Sequence, residues 1–245
     1  MGMTNYQVPF RGTEIPMSEI SGEGTQLLLV PGMGAGIEMW SPLREAVQVP
    51  TTAFDIPLLS NPFRPTTMED YADAMVAICD ARGYEQVDVL GVSWGGVLAI
   101  TFALRHPERL RRLILASTTP EPILHFMTHP NICMAYLLGQ YGGTVDRGSH
   151  SRGEFRSEVT WETIVSDWHR ALSLLLLLGG RRAQLKHILH KTLIITGDDD
   201  RIVPLKEAQM SCVIPGSEFF VVSDGHLCVI TSADIIGKRI GEFLH

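Results

Sequence analysis

The sequence predicts an α/β protein: a mostly parallel, doubly wound sheet carrying one helical insertion. Three observations point there. Short, continuous apolar runs such as residues 26–30 and 110–116 alternate with stretches of helical spacing. Runs without polar alternation suit strands covered on both faces, which is how parallel sheets are built. The alternation lapses between Thr118 and about Lys191, where tryptophans, methionines and histidines occur without a clear strand signal. A chain of 245 residues suits one domain with a modest insertion.

The elements follow in order. Residues 6–20 alternate loosely around Gly12 and read as a leading antiparallel hairpin, closed off by the turn-like cluster at 21–24. Residues 26–30 form a strand, 37–47 a short helix, and 51–56 a strand stopped by Pro57. Prolines mark 58–65 as a loop. Thr67 is an N-cap candidate with Asp70 three residues on, and Tyr71, Ala74, Met75, Ile78 and Cys79 then keep helical spacing until Gly83. A strand at 86–91, a helix at 95–106 and, past the break at Pro107, a strand at 110–116 complete the first part. Strands at 191–196 and 218–222 and helices at 204–212 and 229–243 complete the second. The expected division is a core of residues 1–117 and 191–245, with 118–190 as a helical lid.

Composition removes several classes of function. With 45% hydrophobic and 19% charged residues the chain is not of the disordered type. A net charge of −7 without a basic block argues against a nucleic-acid groove. The cysteines at 79, 133, 212 and 228 show no C-x-x-C spacing, and no histidine pair has ligand spacing, so no metal and no cofactor are expected. The first residues lack a charged start followed by an apolar stretch, and Tyr6 stands where myristoylation needs Ser or Thr. The longest greasy run, 171–178, is too short to span a bilayer. A cytoplasmic protein is expected, with a homo-oligomer left open.

Chemistry concentrates at Gly91-Val92-Ser93-Trp94-Gly95, a G-x-S-x-G pattern between a strand and a helix. Small residues at a strand–helix junction are common, and the bare pattern is weak evidence. Its setting makes it a nucleophile elbow, where a sharp turn holds a serine hydroxyl clear of the backbone. Such a serine needs a base and an acid that orients the base. Asp200 lies on the loop after strand 191–196 and His226 on the loop after strand 218–222, at the carboxyl edge where open sheets place their sites. Asp200 is the chosen acid because Arg201-Ile202-Val203-Pro204 closes its loop. Asp198 and Asp199 read as surface turn residues, Asp224 as a turn former, and Glu121 as the outside candidate. His106 is expected to interact with the carbonyl end of its helix, and Cys228 is a remote second nucleophile. An oxyanion formed at Ser93 needs N–H donors worth about 3–4 kcal/mol each. The expected donors are the backbone N–H groups of Trp94 and of Met33, on the glycine-bearing loop 30–36. That loop also half-matches a dinucleotide fingerprint, but Ile37 occupies the third glycine position, so NAD binding is discounted.

These residues resemble the α/β-hydrolase superfamily. The likeness is carried by Pro31-Gly32-Met33-Gly34, the elbow with Gly96, His106-Pro107-Glu108-Arg109, residues 197–204, and Gly225-His226-Leu227. A nearer likeness, to intracellular poly(3-hydroxyalkanoate) depolymerases, rests on Gly-Val-Ser-Trp-Gly-Gly, Tyr141-Gly142-Gly143, Gly197-Asp198-Asp199-Asp200 and Asp224-Gly225-His226-Leu227. The resemblance implies an α/β-hydrolase fold and hydrolysis of hydroxyacyl esters. The expected activity is a serine ester hydrolase acting on a small-molecule or oligomeric ester. Phe126, Met127, Trp161, Trp168 and Leu175 of the insertion are candidates for an apolar acyl wall, and lid-to-body packing is an equal reading for the leucine run. The rivals are a thioesterase, lactonase or lipase with the same triad, a lyase or perhydrolase on the same fold, and a binding protein without catalysis.

Overall fold

The computed structural model describes residues 2–32, 35–57, 66–121 and 180–245. Met33, the proline-marked loop 58–65, and Phe126, Met127, Trp161, Trp168 and Leu175 lie outside the described residues, as does most of the expected 118–190 insertion.

Among the described residues eight strands form one sheet in the order β1-β2-β4-β3-β5-β6-β7-β8. β1 (Met3–Phe10) and β2 (Thr13–Ile20) form the expected hairpin, antiparallel in register from Met3 opposite Ile20 to Phe10 opposite Thr13. Its two-residue turn has positive φ at Arg11 (48°) and Gly12 (81°), the backbone that matches the twist of a tight hairpin. β2 also runs antiparallel to β4 (Thr51–Phe54), and the pairings from there onward are parallel. These join β3 (Leu27–Val30), β5 (Val87–Val92), β6 (Leu110–Ala116), β7 (Lys191–Gly197) and β8 (Glu218–Val222).

The helices explain why the central strands are apolar throughout. α2 (Met68–Arg82) and α3 (Trp94–Arg105) cover one face, packing Met75, Ile78, Leu98 and Phe102 on Leu28, Val30, Val89 and Leu113. α1 (Ser41–Ala46) and α6 (Ala233–Leu244) cover the other, packing Leu43, Ile236 and Ile240 on Leu27, Leu29, Leu90 and Ile195. Successive β3 residues therefore go to opposite cores, and each fully buried aliphatic side chain contributes about 1.5–3 kcal/mol.

Thr67 and Asp70 form the expected capping box at the start of α2. Three helical expectations change in detail. The helix read at 37–47 is a 3₁₀ turn, Ile37–Trp40, followed by α1. The one read at 204–212 is α4 (Leu205–Ala208) followed by a 3₁₀ turn, Gln209–Val213. The helix read at 229–243 is divided into α5 (Cys228–Thr231) and α6 by Ser232, at φ −115° and ψ 34°. The reason is local: the Asp224 carboxylate accepts hydrogen bonds from the Thr231 and Ser232 hydroxyls and holds the chain out of helical geometry there.

Candidate active site

The elbow is built by what its glycines leave out. Ser93 sits between β5 and α3 at φ 55° and ψ −120°, a region sparsely populated by L-residues that costs about 1–3 kcal/mol. The turn tolerates this because the neighbouring chains press against it from both sides. A Cβ on Gly91 would strike the Gly95 carbonyl and stand 2.8 Å from Ala99 Cβ, and one on Gly95 would strike the carbonyl oxygens of Val30 and Pro31. The Ser93 N–H donates to the Ala116 carbonyl (2.9 Å), and its carbonyl accepts from the Gly96 N–H (2.9 Å). The side chain is half-buried. Gly32, on the loop after β3, lies against it: a Cβ there would be 3.5 Å from Ser93 Cβ.

A ladder of backbone hydrogen bonds leads across the strand ends from this serine toward the histidine. The Ser117 N–H donates to Ile195 (2.9 Å), that of Asp198 to Val222 (2.9 Å), and that of Asp199 to Asp224 (3.0 Å). The ends of β5 to β8 are thereby tied edge to edge, and the loops they carry converge.

On these loops the Asp200 carboxylate is fully buried and faces a ring that is itself almost entirely buried. His226 Nδ1 lies 2.9 Å from Asp200 Oδ2 and 3.1 Å from Oδ1. A carboxylate only accepts, so Nδ1 carries the proton and Nε2 is left to accept another. Asp200 Oδ1 also accepts the N–H groups of Ile202 (2.9 Å) and Val203 (2.8 Å). The carboxylate is thus fixed by its own loop before it fixes the imidazole. Among the described residues Ser93 Oγ and His226 share no hydrogen bond.

The competing acids have other partners. Asp198 and Asp199 are exposed, the first accepting from the Ser223 hydroxyl (3.1 Å) and the second pairing with Arg201 (3.2 Å). Asp224 accepts from the Gly225 N–H (2.6 Å) besides Thr231 and Ser232. Glu121 faces a cavity with Arg182, Ala183, Lys186 and Val213. Burial pushes the Cys228 thiol up to about 12, which leaves it protonated beside Ser117 Oγ (3.5 Å) and unsuited to attack. His106 departs from expectation: its ring Nε2 lies 3.0 Å from Asp73 Oδ1, a carboxylate that α2 brings alongside the end of α3.

Trp94 opens α3, and a first-turn N–H has no carbonyl one turn behind it to accept it. Its indole packs edge-on against Tyr71, with ring centroids 5.6 Å apart. Sequence reasoning missed Thr118, whose hydroxyl donates to the Ser93 carbonyl (2.6 Å), and missed Gly197 as a point of close approach. The run Ser117-Thr118-Thr119 after β6 was the available signal, but it gains meaning only once β6 is known to neighbour β5. Among the described residues no group of three His, Cys, Asp or Glu side chains is arranged to hold a metal ion. Among the same residues no helix is long and apolar enough to cross a membrane.

Residues 25–132 match the family model described as alpha/beta hydrolase fold. The chain is 31% identical to a poly(3-hydroxyalkanoate) depolymerase of Ectopseudomonas oleovorans, over 90% of this chain and 84% of that protein. The chain belongs to the α/β-hydrolase family. This hydrolase is also 26% identical to a 2-hydroxymuconate semialdehyde hydrolase of Pseudomonas sp. (strain CF600), over 91% of its own length and 88% of the relative's. A solved carboxylesterase from Bacillus subtilis shares its fold at a TM-score of 0.80 and 20% identity, covering 100% of this chain and 92% of the other. The family and its named relatives support an enzyme of hydrolase type.

Proposed function

We propose that this α/β-hydrolase is a serine-dependent carboxylic ester hydrolase of acyl or hydroxyacyl esters, working through Ser93, His226 and Asp200. The observation that carries the reading is the buried Asp200–His226 pair, set across the strand ends from a serine at positive φ. His226 Nε2 takes the Ser93 proton as Oγ attacks the acyl carbonyl carbon. Asp200 holds the ring in the required tautomer and stabilises the imidazolium that forms. The N–H groups of Trp94 and Met33 receive the developing oxyanion. The proton then passes from His226 to the departing alkoxide, leaving an acyl-enzyme. A water deprotonated by His226 attacks that ester, and the acid leaves as Ser93 regains its proton.

Likeness to a poly(3-hydroxyalkanoate) depolymerase favours 3-hydroxyacyl oligoesters as substrate. Residues 118–190 then serve as the lid, with Phe126, Met127, Trp161, Trp168 and Leu175 lining the acyl site. A second reading, hydrolysis of a 2-hydroxymuconate semialdehyde-like compound, is favoured by the likeness to that hydrolase. Thioesters and lactones complete the substrate panel that separates the readings.

A fluorophosphonate probe tests the nucleophile. Wild type should be labelled on Ser93 and Ser93→Ala should not. Labelling of the alanine variant, or none of wild type, overturns the assignment. Turnover of 3-hydroxyacyl esters, simple esters, thioesters, lactones and the semialdehyde, compared as kcat/KM, then ranks the substrate classes.

A further inference from the structure

The proposed oxyanion donor at Trp94 is part of a peptide unit whose other end is held by a residue with no role in the triad. Ser93 C=O and Trp94 N–H belong to one planar group and point in opposite directions. Whatever anchors the oxygen therefore aims the N–H. Among the described residues two groups anchor it: the Gly96 N–H at 2.9 Å and the Thr118 hydroxyl at 2.6 Å. The first comes from the same turn and moves with it. The second comes from the loop after β6, which is part of another strand connection.

We infer that Thr118 is a positioning residue of the active site: by holding the Ser93 carbonyl it fixes the Ser93–Trp94 peptide plane and so the direction of the Trp94 N–H. The inference rests on the serine hydrolase reading above. The torsion that turns this plane is ψ of Ser93, which stands at −120° beside a φ of 55°. A strained torsion relaxes by rotating unless its surroundings resist it, and rotation here would swing the N–H away from the oxyanion.

Thr118 is itself held firmly enough to resist. Its side chain is buried, and it fills the space a side chain at position 96 would need: a Cβ on Gly96 would stand 2.5 Å from the Cβ, Cγ2 and Oγ1 of Thr118. The preceding residue, Ser117, is buried at φ 48°, with its N–H bonded to Ile195 on β7 and its hydroxyl 3.5 Å from Cys228 Sγ. A change of direction in the chain at Ser117 thus presents the Thr118 hydroxyl to the elbow. Hydrogen bonds accepted by a carbonyl also polarise the N–H of the same peptide group, which makes it a better donor.

Hydroxyl and methyl contributions separate in a set of variants. Thr118→Val keeps the shape and loses the donor, Thr118→Ser keeps the donor and loses the methyl, and Thr118→Ala loses both. For the preferred ester substrate we expect Thr118→Val to lower kcat about 10- to 100-fold, below the loss on deleting an oxyanion donor outright, with KM near the wild-type value. Affinity for a boronic acid, which forms a tetrahedral adduct on the serine, should fall by a similar factor, while affinity for the product carboxylate should hold. Thr118→Ser should recover most of the loss. If Thr118→Val does not fold, the Ser and Ala variants, which differ by the hydroxyl alone, carry the same comparison. Unchanged kcat in Thr118→Val, or equal losses in the Ser and Ala variants, overturns the inference. Fluorophosphonate labelling tells the two failures apart. Wild type labelled on Ser93 with Thr118→Val labelled at the same rate removes the role of Thr118 alone, whereas unlabelled wild type removes the serine reading and this inference with it.

Discussion

Gly197 and Asp224 touch backbone to backbone. A Cβ on Gly197 would fall on the Asp224 carbonyl oxygen and stand 2.5 Å from that of Gly225, so the loop carrying Asp200 and the loop carrying His226 meet where one of them has no side chain. The Asp199 N–H, bonded to the Asp224 carbonyl at 3.0 Å, pins the contact. The acid reaches the imidazole because these loops approach so closely.

Gly197→Ala should therefore separate Asp200 from His226. Both obstructing atoms are main-chain, so relief requires the loops to move, at about 1–3 kcal/mol. A displacement of about 1 Å at a catalytic group costs on the order of 100-fold in rate. Thermal melting and ester turnover should fall together in this variant. Unchanged turnover with an unchanged midpoint would mean that the contact does not govern the geometry of the pair.

Toward the other side of the sheet, on β2, Glu19 couples stability to acid. Burial alone would raise its carboxyl, but hydrogen bonds from Arg82, Ser21 and Tyr84 outweigh that and hold it at about 2, against 4.5 in the unfolded chain. A group depressed on folding stabilises the protein above its unfolded pKa, and this stabilisation is lost as pH falls through the folded value. The window is pH 4.5 to about 2. Urea unfolding of wild type and Glu19→Gln at pH 5.5 and pH 2.5 should show the gap between them shrinking at the lower pH. An equal gap at both would contradict the assignment.

Much of this arrangement could be read along the chain, and what escaped did so for a physical reason. Strands buried on both faces announce themselves as uninterrupted apolar runs, which is why β3, β5, β6 and β7 were legible. The capping box at Thr67 and Asp70 is a local pattern with a local cause. The Asp200–His226 hydrogen bond joins two loops that residue order and strand ends already place at one edge of the sheet. Thr118 escaped because its role depends on β5 and β6 being neighbours, and Ser232 because the carboxylate that interrupts its helix comes from Asp224, before that helix starts. The sequence places His106 against its own helix, whereas its partner Asp73 lies on a different one. Contacts between elements are what a linear pattern conveys least.

Cys228 stands two residues beyond His226, and its reactivity can be measured directly. Burial raises the thiols of Cys79 and Cys228 to about 12; it raises that of Cys212 as well, but Cys212 is exposed to reagent. In a Cys133→Ser background, a disulfide-exchange reagent at pH 8 should titrate Cys212 promptly and reach Cys79 and Cys228 only after denaturant is added. Rapid modification of Cys228 in the native protein, located by peptide mapping, would reopen it as a nucleophile.

Asp200→Asn isolates the orienting role proposed for Asp200. Asp200 Oδ1 accepts from the Ile202 and Val203 N–H groups, and an asparagine oxygen can retain both bonds, so the loop and the melting temperature should be preserved. The amide nitrogen then faces His226 Nδ1, where a donor meets a donor unless the ring adopts the other tautomer. In that tautomer Nε2 carries the proton and cannot accept one from Ser93. Turnover should drop about 10⁴-fold, the scale seen when a triad acid is replaced this way, and fluorophosphonate labelling of Ser93 should slow in parallel. A variant that melts like wild type and keeps its turnover within tenfold would move the acid role to Glu121 or Asp198, neither of which pairs with the imidazole in this structure.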